Sequence, residues 1–187
     1  MGARFALKKW LEIMTDSEKT DIEKKTALIT GAAGGIRQAI SRQFVANGYR
    51  VVAGDADQTG LDRLEAELNR TEQTVWSRAG ELSKELIYYC IRATGRLDVL
   101  VNNAGIITRG NVLETTDEHW EGTFDINLTS IFYTCRKAIG HMKGHGGGAI
   151  VNVSSCWDSL SRTGPCGLLH QSRGRFFLKM SRPGSCA

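Results

Sequence analysis

No apolar run in the sequence approaches the roughly 20 residues that a membrane-crossing helix needs. No basic leader, apolar stretch and small-residue cleavage site stand in series at the N-terminus, so no secretory signal is expected. Met1-Gly2-Ala3-Arg4-Phe5-Ala6 lacks the Ser or Thr that a myristoylation signal carries at its sixth position. The five cysteines are odd in number and form no dense framework. With no signal, that pattern leads to the expectation of a reducing cytoplasm. Interleaved aromatic and basic residues are absent, so nucleic acid is not an expected partner, and without a long apolar run neither is a membrane. His119, His141, His145 and His170 have no cysteine or carboxylate at ligand spacing, and no metal site is expected. Internal repeats are absent.

What is present fits one globular domain. The chain has 187 residues, 41% hydrophobic and 24% charged, long enough for a core and too apolar for wholesale disorder. The net charge of +4 is concentrated at one end. After residue 155 stand Arg162, Arg173, Arg175, Lys179 and Arg182 against the single acid Asp158, together with both prolines, Pro165 and Pro183. Three segments are expected: an N-terminal extension over 1–25, an α/β domain over 26–155 and a basic tail over 156–187. In the first, Leu7, Trp10, Leu11 and Met14 recur at helical spacing opposite Arg4, Lys8 and Lys9 and predict a short packing helix or a frayed leader in preference to a membrane-surface helix. The tail shows no strand or helix rhythm and is expected to be poorly ordered.

Between them the pattern alternates. Short apolar runs at 26–30, 50–54, 74–77, 97–101 and 149–153 predict strands. Helices are predicted over 35–47, 61–68, 82–94 and, opened by a capping box of Thr115 and Glu118, from there to about Met142. Single helices between strands mean right-handed crossovers, hence a parallel sheet covered on both faces. The expected fold is therefore an α/β, doubly wound parallel sheet.

The chemistry-bearing feature is Thr30-Gly31-Ala-Ala-Gly34-Gly35-Ile36-Arg37, which joins the first strand to the first helix. Glycines there let the backbone turn tightly and approach a pyrophosphate, and the helix N-terminus behind them offers free N–H groups. Asp55 closes the second strand, where an acid reaches the hydroxyls of an adenosine ribose.

These residues resemble a known family. Thr30-Gly31-x3-Gly35-Ile36 resembles the cofactor loop of the classical short-chain dehydrogenases/reductases. Asn102-Asn103-Ala104-Gly105 resembles that family's Asn-Asn-Ala-Gly signature. Asp125-Ile-Asn127-Leu resembles the segment of its catalytic Asn, and Ile150-Val-Asn-Val-Ser154-Ser155 that of its catalytic Ser. The resemblance implies a Rossmann-like sheet with strand order 3-2-1-4-5, lacking the family's last strands and helices, and an NAD(P)-dependent oxidoreductase acting on a small-molecule alcohol or carbonyl. It places the cofactor on Gly31, Gly35, Ile36, Asp55, Asn103, Ala104 and Gly105. Ser155 would bond the substrate oxygen, and Asn127 would hold the water of a proton relay. Asp55 favours NAD over NADP, because a 2′-phosphate would face its charge.

Three departures qualify the resemblance. Arg37 replaces the loop's third glycine and is expected to crowd either the helix or the phosphates. Glu81-Leu82 stands where the family often has an adenine-contacting Asp. The family's Tyr-x3-Lys, due about a dozen residues after the Ser, is absent: thirteen residues past Ser155 lies Leu168, and no tyrosine follows Tyr133. Tyr133-Thr-Cys-Arg-Lys137 has the right spacing but precedes Ser155 and is read as a structural coincidence. The resemblance thus points to a C-terminally truncated or aberrant member whose activity is impaired. The alternatives are a non-catalytic nucleotide-binding or partner-modulating pseudoenzyme, or a non-functional truncated product. The family-type homodimer or tetramer is expected to be compromised, with Ile131, Phe132 and Cys135 left uncovered.

Overall fold

The structure, a computed structural model, describes residues 25–70, 72–80, 84–107 and 113–153. The expectations for the N-terminal extension, Glu81-Leu82, Ser154, Ser155 and the basic tail lie outside these residues. Five strands alternate with helices: β1 (Thr26–Thr30), α1 (Gly35–Ala46), β2 (Arg50–Asp55), α2 (Gln58–Leu68), β3 (Val75–Ala79), α3 (Lys84–Thr94) and β4 (Val99–Asn102). Next come α4 (Asp117–Phe124), a π-helical turn (Asp125–Thr129), α5 (Ser130–Lys143) and β5 (Ala149–Asn152). All strand pairs are parallel and the order is β3-β2-β1-β4-β5. This is the expected Rossmann-like sheet.

The alternation of side chains along each strand builds two cores. Ala27, Ile29, Val51, Ala53, Val99 and Val101 face one side and pack with Ile40 and Phe44 of α1 and Leu61 and Leu64 of α2. Leu28, Val52 and Leu100 face the other and pack with Leu86, Ile87 and Cys90 of α3 and with Ala138 and Met142 of α5. With both faces covered, the central strands need apolar residues at every position, which is why they read as continuous runs. The chain order reverses between β1 and β4. The chain leaving those two strands leads to helices on opposite faces of the sheet, the point where such folds carry a ligand crevice.

Several boundaries differ from the sequence expectation. Helix α2 begins at Gln58 because the Asp57 carboxylate caps it, accepting from Gly60 N–H at 3.0 Å. Helix α4 is capped by Thr116, one residue later than expected. The Thr116 hydroxyl accepts from His119 N–H at 3.3 Å, and its extended backbone sets the helix start. The single long helix expected after it is interrupted by the π turn. Cys135 is not on an uncovered face. It is 4% exposed, in the core beside Asn102, while Phe132 and Tyr133 of the same helix are 58% and 43% exposed. Burial pushes the Cys90 thiol up to about 12 and raises that of Cys135 as well, so both are packing groups rather than nucleophiles.

Candidate functional site: a dinucleotide crevice

The crevice is built on a hydrogen-bonded joint between the loops after β1 and β4. The Thr30 hydroxyl accepts from the N–H groups of Asn103 (3.0 Å) and Ala104 (3.1 Å) and donates to Val101 C=O (3.4 Å). The Asn103 amide returns the contact, donating to the carbonyls of Thr30 (3.1 Å) and Gly31 (3.2 Å). Both residues are 3% exposed. Gly31 sits at φ 66°, and a Cβ there would lie 2.7 Å from the Cα of Ala104. Glycine is required at that point twice over, for its left-handed backbone and for the touching loops. The sequence motifs include Thr30, Asn103 and Ala104 but give the Thr30 hydroxyl no role in joining the two loops. A threonine ending a buried strand just before the glycine turn is the signal that was available.

Asp55 lies at the tip of β2, half-buried beside the glycine loop. Its carboxylate accepts from Ala33 N–H at 2.8 Å and from Asp57 N–H at 3.1 Å, which ties the loop to the strand end. An ionised carboxylate has about four acceptor positions, so two remain for hydroxyl donors. Gly35 opens α1 from an exposed position, and a Cβ there would meet nothing within 4 Å. The helix behind it has no side-chain cap at Gly34 and no acid in its first turn. Gly35 and Ile36 thus stand in the first turn of an uncapped helix, whose N–H groups and partial positive charge suit a phosphate. An open surface, unoccupied donors and a flanking carboxylate fit a dinucleotide that spans phosphate and ribose.

Arg37 does not crowd the helix, which runs regularly through it. Its stem lies over Gly34, with Cδ 3.1 Å from where a Cβ would stand, and its guanidinium donates to Gly105 C=O at 3.3 Å. The replacement therefore projects onto the crevice side.

Asn127 sits in the π turn, 6% exposed. Its side chain accepts from Ile106 N–H and donates to Ile106 C=O, both at 2.9 Å. The π turn lets this short amide meet the β4 loop squarely, a common use of such bulges. Asn102 is buried behind it, donating to Asn152 (2.8 Å) and accepting from the Thr134 hydroxyl (2.9 Å). The structure thus brings Gly31, Gly35, Asp55, Asn103, Ala104, Gly105 and Asn127 to the carboxyl edge of the sheet. Tyr133 and Lys137 do not join them. The Arg136 guanidinium stands over the rings of Phe132 and Tyr133, and the Lys137 ammonium over that of Tyr88, all on the outer helical surface.

Comparison with known proteins places this arrangement. Residues 25–162 match the short chain dehydrogenase family. The 7alpha-hydroxysteroid dehydrogenase of Bacteroides fragilis is 38% identical over 141 residues, 71% of this chain and 54% of that protein. The 3-oxoacyl-[acyl-carrier-protein] reductase of Thermotoga maritima is 36% identical over 146 residues, 72% of this chain and 56% of that protein. Among solved structures, a short chain dehydrogenase/reductase from Burkholderia phymatum in complex with NAD superposes with a TM-score of 0.70 at 27% identity, over 75% of this chain and 52% of that one. The 3-ketoacyl-(acyl-carrier-protein) reductase of Brucella melitensis, complexed with NADH, gives 0.66 at 29%, over 72% and 58%. The chain spans little more than half the length of the curated relatives it matches. With the glycine turn, the Asn-Asn-Ala-Gly joint and the Asn127 π turn all on one sheet edge, and the family match covering most of the sequence, the chain belongs to the short-chain dehydrogenases.

Proposed function

We propose that these residues bind a nicotinamide dinucleotide, NAD in preference to NADP, as part of an oxidoreductase for small-molecule alcohols or carbonyls in a reducing cytoplasm. The observation that carries the reading is the open, uncapped first turn of α1 at Gly35 beside the Asp55 carboxylate. Phosphates would rest on the N–H groups of that turn, and Asp55 would accept from the ribose hydroxyls. The bound nicotinamide would supply the hydride acceptor or donor. Asn103 and Ala104 would act by fixing the two loops at their spacing, and Gly105 by its place at the crevice mouth. Asn127 would hold the β4 loop in place. With its side chain engaged by Ile106, any relay water it holds would meet its second amide hydrogen or its backbone carbonyl. Ser155 would take the substrate oxygen.

The preference for NAD rests on charge. A 2′-phosphate beside Asp55 would need a cation. Arg50 stands at the far end of β2, about 16 Å away by strand rise. Arg78 pairs in register with Gly54, points to the opposite face and covers the ring of Tyr89. A second reading, nucleotide binding without turnover, is favoured by one observation: Leu168 stands thirteen residues past Ser155, where the family's tyrosine is due. Fluorescence titration with NADH and NADPH tests the first reading. NADH is expected to bind at least tenfold more tightly. Equal or tighter NADPH binding overturns the preference, and binding of neither overturns the cofactor assignment.

A further inference from the structure

The crevice that the cofactor reading needs is crossed by a side chain. Arg37 is rooted in the first turn of α1, and a helical side chain leans toward the N-terminus of its helix. Its stem is thereby laid over Gly34, the residue before the first turn, and leaves the position over Gly35 open. Its guanidinium ends on the carbonyl of Gly105, which follows the Asn103–Ala104 joint. Among the described residues no carboxylate pairs with it, so the strongest partner an arginine can take is missing. What it has instead is one neutral acceptor on the opposite bank, at a long hydrogen-bond distance.

We propose that Arg37 is a strap across the crevice of the free protein, tying α1 to the β4 loop, and that a dinucleotide binds only as the strap releases Gly105. This rests on the cofactor reading above. The opposite role, a phosphate ligand, fits the geometry less well. To reach a phosphate seated on the first-turn N–H groups, the guanidinium would first have to give up Gly105 C=O, where it is held across the loop. Once swung outward, the guanidinium would meet the phosphate through solvent, where screening leaves little attraction. The strap therefore subtracts from affinity, by about the two- to tenfold that one intramolecular hydrogen bond is worth.

The test compares the full chain with Arg37→Met, which keeps an unbranched stem and helix propensity but removes the donor, and with Arg37→Gly, which clears the surface. Two readouts are needed. Without any ligand, amide hydrogen exchange over residues 103–107 is expected to speed up several-fold in both variants, since the tie to α1 is gone. With NADH, both variants are expected to bind about two- to tenfold more tightly, Arg37→Gly the more so, with the same dependence on salt as the parent. Unchanged exchange overturns the strap. Weaker NADH binding, with a shallower salt dependence, overturns it in favour of a phosphate ligand. If no protein, parent included, takes up NADH, the cofactor reading fails, and the ligand-free exchange result still decides whether the strap exists.

Discussion

The glycines of the first loop do different work, and the structure separates them. Gly31 carries a left-handed backbone against the Ala104 backbone, so alanine there strains φ and forces two loops apart. The loss is expected to be about 2–5 kcal/mol, the left-handed penalty plus overpacking. Gly35 has an ordinary helical backbone and open space where a Cβ would go. Replacing it by alanine is expected to raise stability by about 0.4–1 kcal/mol through the unfolded chain. The same methyl would stand on the surface proposed for the phosphates, and NADH affinity is expected to fall. Denaturant unfolding and NADH titration of the two variants read both effects. A Gly35→Ala protein that is more stable and binds NADH unchanged would show that no ligand approaches that turn. The sequence shows that both are glycine. It does not show which of them serves folding and which an approaching ligand, because that depends on what stands opposite.

At the scale of elements, strand existence and order were legible because burial on two faces demands uninterrupted apolar runs. Helix ends were legible to within a residue or so where a cap was the signal. Two adjacent threonines, Thr115 and Thr116, made the α4 cap ambiguous, and backbone geometry chose the second. The π turn was not legible. Nothing in Asp125-Ile-Asn127-Leu-Thr129 breaks helical periodicity, and the extra residue is set by a tertiary contact, the paired bonds of Asn127 to Ile106. That contact carries a prediction. Asn127→Ala leaves a backbone N–H and C=O of the β4 loop without partners and is expected to cost about 1–3 kcal/mol. Asn127→Asp keeps the acceptor for Ile106 N–H but sets a carboxylate oxygen against Ile106 C=O. It is expected to be the worse of the two at pH 7. Its deficit should shrink as pH falls toward about 4, where a protonated carboxyl regains a donor. Melting curves of both variants across that range check the ordering. Asn127→Asp matching the parent at pH 7 would show that the bond to Ile106 C=O contributes nothing.

For the molecule as a whole, the cofactor half and the proton-transfer half of the family's chemistry separate along the sequence. The described sheet, the glycine loop, Asp55 and the Asn-Asn-Ala-Gly joint lie within residues 25–153, in the part that local patterning describes well. A positioned proton donor depends on residues far apart in sequence, and there the sequence departs from the pattern. The Tyr133-x3-Lys137 spacing shows why spacing alone is weak. Residues four apart on a helix share a face whatever that face meets. Here Tyr133 lies under Arg136, and the Lys137 ammonium covers Tyr88. A proton transferred by a positioned side chain contributes typically about 10²–10⁴-fold to rate. With Leu168 where the resemblance places the family's tyrosine, the chain is expected to bind NADH yet turn over alcohols and ketones at least 100-fold below the typical enzyme median of about 10 s⁻¹. Stopped-flow and steady-state absorbance at the nicotinamide band measure this directly, with Tyr133→Phe as the control. The control is expected to change neither binding nor the residual rate. Turnover near the median that vanished in Tyr133→Phe, with folding and NADH binding intact, would make Tyr133 the proton donor and would require α5 to present its outer face to the crevice.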